Sequence, residues 1–188
     1  MTSSWCVLYC LLLSSLVTSA LKSLGFDFGT SGVRVIGISK DERVLHEESV
    51  RWSDNIFKGK DMEDSWLHGL YHLLGNVPTE QRRSLERICL SGTSASALIY
   101  DINKKCVSRK TRMYNYNIAQ NGHSPEVVEK VNAAIKSYCP PSSPAAASTS
   151  SLAKLLCWHF EENLSKDERL CHQVLNNSCL HSISNFLK

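Results

Sequence analysis

The segment Gly25, Phe26, Asp27, Phe28, Gly29, Thr30, Ser31, Gly32 places a carboxylate at the end of an apolar stretch, directly before a turn of glycine and hydroxyl residues. Glycines at 29 and 32 allow positive φ and close approach of the backbone to an anion. Successive N–H groups and the Thr30 and Ser31 hydroxyls can then donate to phosphate oxygens. Asp27 is placed to hold Mg2+, directly or through water, because that ion takes a few carboxylates together with substrate phosphates. A general-base role is the other use for this carboxylate, but its seat beside the phosphate turn favours the metal. A β-branched segment with Val33, Val35 and Ile36 follows the turn, where a Walker-type loop would open a helix. The Gly-x-x-x-x-Gly-Lys spacing is also absent. An ordinary hairpin with a glycine-rich turn is the lesser alternative for these residues taken alone.

Further along, Ser91 and Gly92 precede the hydroxyl pair Thr93 and Ser94, and Asn115 follows Met113 and Tyr114. Asn115 suits either a polar ligand or its own local backbone. Ser91 lacks the Gly-x-Ser-x-Gly frame of a nucleophile elbow, and no Asp and His follow in a supporting order. His68 and His72 stand at i and i+4, a metal-ligand spacing. With no third ligand near them in sequence, a half-exposed helix face accounts for them. Asp101 ends an apolar segment before Asn103 and Lys104 and reads as a solvated turn residue.

The elements that must position these residues run from strands to helices. Residues 24–28, 33–39 and 44–50 predict an antiparallel meander, with Lys40, Asp41, Glu42 and Arg43 as a polar turn. Trp66, Leu70, Leu73, Leu74 and Val77 recur at helical spacing and line one buried face. Residues 87–90 and 97–102 predict strands separated by the small-residue turn 91–96, with a third strand over 106–114. Ser124 as N-cap, Pro125 at the first position and Glu126 near the positive dipole end start a helix carrying Val127, Val128, Val131 and Ile135. Pro140, Pro141 and Pro144 break it into a loop. Leu152, Leu155, Leu156 and Phe160 trace the apolar face of a last helix, running to about Asn163. No internal repeat is visible.

The Asp-x-Gly-Thr-Ser turn between the first two strands resembles the first phosphate motif of the actin-like ATPase superfamily. Ile88, Cys89, Leu90, Ser91 and Gly92 with the following hydroxyls, the Met113-Tyr114-Asn115 segment, and Lys154, Leu155, Leu156, Cys157 and Trp158 resemble FGGY-family carbohydrate kinases. The similarity spans residues 24–173, ends with His172 and Gln173, and is closest to plant-type xylulose or ribulose kinases. It implies an α/β, ribonuclease-H-like lobe with a mixed sheet flanked by helices, over residues 23–173. A targeting segment over 1–22 and a divergent tail over 174–188 complete the expected division. The resemblance further implies ATP and Mg2+ at Asp27, Gly29, Thr30, Ser31 and Gly32, and sugar contacts from Thr93, Ser94 and Asn115. The expected reaction is phosphorylation of a pentulose such as D-ribulose or D-xylulose. The family's general base, an Asp in the second half of the chain, and most of its adenosine pocket have no counterpart here. A truncated chain with one exposed face that associates with another chain is therefore expected. Two departures stand out. Thr93, Ser94, Ala95 and Ser96 replace the Gln-Met-His-Gly of xylulokinases, and Tyr116 replaces an Asp.

At 188 residues and 43% hydrophobic content the chain can bury one sizeable core. The 21 basic residues against 18 acidic ones form no basic run, which argues against nucleic acid as a partner. The eight cysteines form no Cys-x-x-Cys pair and read mostly as reduced, buried small residues. Residues 5–17 are apolar, too few for a membrane span, and no Lys or Arg precedes Lys22. This opening fits a secretory signal ending near residues 18–20, and equally an acid-free transit peptide. The family favours plastid or cytoplasm. Asn-x-Ser triplets at Asn163 and Asn176, with the even cysteine count, leave a small secreted disulfide protein as the reading from another class. A non-enzymatic binding fragment of a kinase lobe is the third.

Overall fold

A computed structural model describes residues 19–172. The first strand, β1 (Leu21–Phe28), pairs antiparallel with β2 (Gly32–Ser39), which pairs antiparallel with β3 (Val44–Arg51). Leu21 and Lys22, assigned from the sequence to the leader, are the first two residues of β1. Helix α1 (Met62–Asn76) follows, capped by the Asp61 carboxylate accepting from the Asp64 amide at 3.0 Å, with Glu63 and Asp64 in its first turn. After a short α2 (Thr79–Arg82), β4 (Arg87–Gly92) lies parallel to β1, giving the order β3-β2-β1-β4.

Alternation decides which face of this sheet is covered. Leu24, Phe26 and Phe28 of β1 and Val33 and Val35 of β2 are buried against Trp66, Leu70, Leu73 and Leu74 of α1. The intervening residues, Gly25, Asp27, Arg34 and Ile36, face the other way and are exposed. The helix spacing expected from the sequence is met at every position, including Val77 at 1% exposure.

A second sheet in the order β6-β5-β7 packs beside the first: β5 (Ala97–Asp101), β6 (Cys106–Val107) and β7 (Glu168–His172). Its helices are α3 (Pro125–Tyr138), with Ser124 as N-cap, and α4 (Ser151–Glu162), whose cap Ser150 accepts from the Ala153 amide at 3.0 Å. Asn163, the asparagine of one Asn-x-Ser triplet, ends α4 in the left-handed conformation at φ 51°. The triplet at Asn176 lies outside the described residues, as do Cys6, Cys10, Cys179, Gln173 and the tail. Among the described residues, no helix is long and apolar enough to cross a membrane.

Four expectations are corrected. The strand expected over 106–114 stops at Val107, and Ala97 holds Arg112 only as an isolated bridge. The chain between them is diverted to side-chain partners. Ser108 donates to Glu168 at 2.6 Å, and Arg109 reaches both its carboxylate oxygens, at 2.9 and 3.2 Å. In α4 the buried face is Ala153, Lys154, Cys157 and Trp158, while Leu152, Leu155 and Leu156 are half-buried and Phe160 is exposed. Asp101 is not solvated. It is 5% exposed and accepts from the amides of Asn103 and Lys104, both at 2.9 Å. The thiols of Cys89 and Cys106 are free but exposed, whereas Cys157 is buried.

Glu168 pins β7 to the loop after β6, and its acidity records that role. Arg109's hydrogen bond first, then those of the Ser108 hydroxyl and the Ser165 amide, lower its carboxyl to about 2. An unfolded glutamate keeps its ordinary 4.5. The stabilisation is therefore complete above that value and drains away as pH falls from 4.5 towards 2. Glu168→Gln is expected to cost about 2–3 kcal/mol at neutral pH and to remove that acid-range loss, as read by urea denaturation across pH.

Candidate functional site

Parallel pairing of β1 with β4 brings their carboxyl ends together. Asp27 is opposite Ser91, Phe28 is opposite Gly92, and the Thr93 amide donates to the Phe28 carbonyl at 3.2 Å. The turn after β1 and the turn after β4 therefore share one edge of the sheet, where open α/β sheets bind ligands.

The first turn is held by its carbonyls. The Gly32 carbonyl accepts from the Gly29 amide at 2.9 Å, and the Ser31 carbonyl from the Trp52 amide at 3.0 Å. The Gly29 carbonyl accepts from the Trp52 indole at 3.1 Å. Among the described residues, the amides and hydroxyls of Thr30 and Ser31 have no hydrogen-bond partner. With the acceptors occupied and the donors free, the turn presents N–H and O–H groups to an anion. It opens on a concavity of about 400 Å3 lined by Asp27, Gly29, Thr30, Ser31, Arg34 and Arg51 among others. Arg34 lies opposite Asp27 in the β1–β2 register and Arg51 opposite Gly32 in β2–β3. Both guanidinium groups went unremarked in the sequence, because only the register brings them to the turn.

The glycines act differently from expectation. Neither takes positive φ; of the described glycines only Gly59 and Gly122 do. A Cβ on Gly32 would stand 2.1 Å from the Val50 carbonyl oxygen, so β3 forbids a side chain there, whereas one on Gly29 would meet only the Gly32 oxygen at 3.6 Å. Gly32→Ala is expected to destabilise the chain by about 2–3 kcal/mol, as overpacking against backbone does, and Gly29→Ala by well under about 1 kcal/mol. Urea denaturation of the two variants separates them.

The second turn and the Met113–Asn115 region are tied together by a residue to which the sequence reading gave no role. Lys154, fully buried in α4, donates to the Ala95 carbonyl at 2.6 Å and the Met113 carbonyl at 2.7 Å, with Tyr114 at 3.4 Å. Burial, then the Arg112 charge, lowers its ammonium to about 8. Buried Ser96 joins the same junction, its hydroxyl lying 3.0 Å from the Thr93 hydroxyl and accepting from the Tyr114 amide at 3.1 Å. Ala95 completes the turn at φ 61°. Thr93 is thus half-buried and engaged, whereas Ser94 and Asn115 are exposed on segments that one ammonium clamps side by side. A lysine within an apolar face, one turn before Trp158, was the available signal.

The remaining candidates separate. His68 and His72 stack with centroids 6.4 Å apart, Phe57 packs edge-on to His68, and burial lowers the His68 imidazole. No thiol or carboxylate joins them into a ligand group among the described residues. Tyr116 has its hydroxyl 2.6 Å from His123 Nε2.

The fold is α/β, with the mixed, ribonuclease-H-like sheet and flanking helices found in sugar kinases of the actin-like ATPase kind. No protein-family model matches the chain. Among solved structures, it is similar to xylulose kinase from Bifidobacterium adolescentis, at 12% identity and TM-score 0.60, over 89% of this chain and 34% of that one. Plasmodium falciparum glycerol kinase with ADP gives 10% identity and TM-score 0.52, over 89% and 32% of the two chains. A carbohydrate kinase from Novosphingobium aromaticivorans gives 16% identity and TM-score 0.52, over 81% and 31%. At these identities the likeness is one of fold, and the chain spans about a third of the length of these kinases.

Proposed function

We propose that this chain is the ATP-binding lobe of a carbohydrate kinase of the FGGY type. In this reading the turn after β1 holds the phosphates of ATP, and the sugar lies against Thr93, Ser94 and Asn115. The observation that carries it is the turn itself, with free amides and hydroxyls at Thr30 and Ser31, an exposed carboxylate at Asp27 and two guanidinium groups in one concavity. The donor set fits Mg·ATP. Asp27 suits a hard cation that takes carboxylate and phosphate oxygens, and Gly29, Thr30, Ser31 and Gly32 border the phosphates. When bound, Mg2+ neutralises charge on the phosphates during transfer. The chain's own residues fix the phosphates by backbone and hydroxyl donors and hold the two sugar-facing segments in register through Lys154.

The acceptor is proposed to be a pentulose such as D-ribulose or D-xylulose, and the base that takes its hydroxyl proton an Asp in the remaining two-thirds of the kinase length. The lobe begins with β1 at Leu21 and runs to about residue 173, with a targeting segment for plastid or the secretory route before it, or a cytoplasmic protein with none, and a divergent tail over residues 174–188. The sheet face bearing Gly25, Asp27, Arg34 and Ile36 would associate with the rest of the kinase. A chain that binds nucleotide without turnover is the second reading, favoured by its spanning about a third of those kinases.

The test is phosphoryl transfer from ATP to a panel of pentuloses, by the chain alone and joined to the remaining part of a carbohydrate kinase. Turnover only in the joined form, lost with Asp27→Ala, supports the first reading. Nucleotide binding with no turnover in either form supports the second.

A further inference from the structure

The loop between β6 and α3 and the outer turns of α4 border a second depression of about 440 Å3, separate from the phosphate turn, with Lys110, Thr111 and Asn121 at its rim. Within this region His123, Cys157 and Glu161 bring their ligating atoms within 4.8 Å of one another. We propose that His123 Nδ1, Cys157 Sγ and a Glu161 carboxylate oxygen bind a divalent ion of borderline softness, Zn2+ being the type, with the fourth position open to the depression.

The ligand set is one imidazole, one thiolate and one carboxylate, the three donor types zinc takes, and three protein ligands with an open position make a recurrent zinc geometry. Cys157 and Glu161 stand one turn apart on α4, so one helix face supplies both and the loop supplies the third. His123 Nδ1 now lies 2.6 Å from Glu161 Oε2, a hydrogen bond, and Cys157 Sγ lies 4.0 Å from the same oxygen. Tetrahedral ligands on one zinc ion stand roughly 3.3–3.7 Å apart. Glu161, at 35% side-chain exposure, has the freedom to withdraw by that difference, while His123 at 7% stays fixed.

The outer contact is already built. Metal-ligating histidines usually donate their second ring N–H to an oxygen, and His123 Nε2 lies 2.6 Å from the Tyr116 hydroxyl. Without the ion, the carboxylate can only accept, so the neutral imidazole donates its Nδ1–H to Glu161 and accepts a hydrogen bond from the Tyr116 hydroxyl at Nε2. On binding, that imidazole proton moves to Nε2 and is donated to Tyr116, and the Cys157 thiol proton leaves to solvent. Thiolate and carboxylate then balance the dication. Arg112 is the nearby cation: it donates to the Lys154 carbonyl at 3.0 Å, reaches Glu162 at 3.4 Å, and stacks 4.2 Å over Trp158 and 5.0 Å over Tyr116. It also borders the Cys157 thiol, so the ion would sit on the side of Cys157 away from it. The ion would fasten the loop before α3 to α4, and this assignment stands independently of the nucleotide reading.

Titration of the full chain with Co2+, followed by displacement with Zn2+, tests it. One equivalent should bind and give a thiolate-to-cobalt absorption band that Zn2+ removes and Cys157→Ala abolishes. A Cys89→Ser, Cys106→Ser double variant, lacking the two exposed described thiols, should retain the band. Glu161→Gln, at a partly exposed position, should fold normally and bind about tenfold more weakly or worse. A folded wild-type chain without the band would leave only a Tyr–His–Glu hydrogen-bond chain and overturn the proposal. A band retained in Cys157→Ala or lost in the double variant overturns it as well. If Cys157→Ala does not fold, unchanged affinity in Glu161→Gln overturns it.

Discussion

Asp27→Ala is expected to lower kcat/KM for phosphoryl transfer by roughly 10³-fold in the chain joined to a kinase second half, with folding unaffected. The Asp27 carboxylate is exposed near the end of β1 and makes no hydrogen bond or ion pair among the described residues, so no side-chain polar contact of the fold is lost with it. Its loss would be chemical. A metal that neutralises charge on a transferring phosphoryl group supplies several kcal/mol, and each 1.36 kcal/mol is about tenfold in rate. Asp27→Asn should be nearly as damaging, because it keeps the shape and removes the charge that attracts the cation. The loss should appear chiefly in kcat, with KM for the sugar little changed, and raised Mg2+ should recover part of it. A coupled ATPase assay with and without pentulose reads this. Activity within tenfold of wild type would assign the carboxylate no metal role.

Lys154→Met is expected to destabilise the chain by about 3 kcal/mol and to loosen the two segments around Ala95 and Met113. Met matches the length of the side chain, so the loss is polar. The carbonyls of Ala95 and Met113 would be left in a buried place without a donor, at about 1–3 kcal/mol each. Against that stands the relief of removing a buried ammonium, whose cost is visible in its fall to about 8. Two orphaned carbonyls outweigh it. The pH dependence carries a sign of its own. An unfolded lysine keeps its proton to 10.5, while folded Lys154 releases it near 8, so this group's contribution to stability rises between those values. The neutral amine still has donors for the two short bonds, so the clamp survives deprotonation. In the Met variant that rise should vanish, and amide exchange at Ser96 and Tyr114 should accelerate. Urea denaturation across pH with hydrogen exchange measures both, and a variant as stable as wild type would remove Lys154 from the positioning role.

What the sequence made legible follows from how local each signal is. The meander, α1 and the cap of α3 rest on alternation, helical spacing and the Ser124-Pro125 start, all contained within a few residues. The structure keeps all three. The end of β6 was not legible, because Glu168 diverts Ser108 and Arg109 from about sixty positions away. The buried face of α4 was misjudged for a related reason. Three leucines outweigh a lysine in any hydropathy pattern, yet the lysine turns inward because distant carbonyls at Ala95 and Met113 await it. The turn after β1 was singled out by residue type, but the reason for Gly32 was not legible, since the Val50 carbonyl that forbids a side chain belongs to the neighbouring strand. Arg34, Arg51 and the group of His123, Cys157 and Glu161 were likewise invisible until register and packing assembled them.

The central claim is that the turn after β1 binds nucleotide phosphates through Mg2+ at Asp27. Its most direct test is an amide-resolved NMR titration of the chain with ADP, in the presence and absence of Mg2+. The account predicts Mg2+-dependent shifts at Gly29, Thr30, Ser31 and Gly32 that disappear in Asp27→Ala. Shifts that are absent, that persist unchanged without Mg2+, or that fall away from this turn would contradict it.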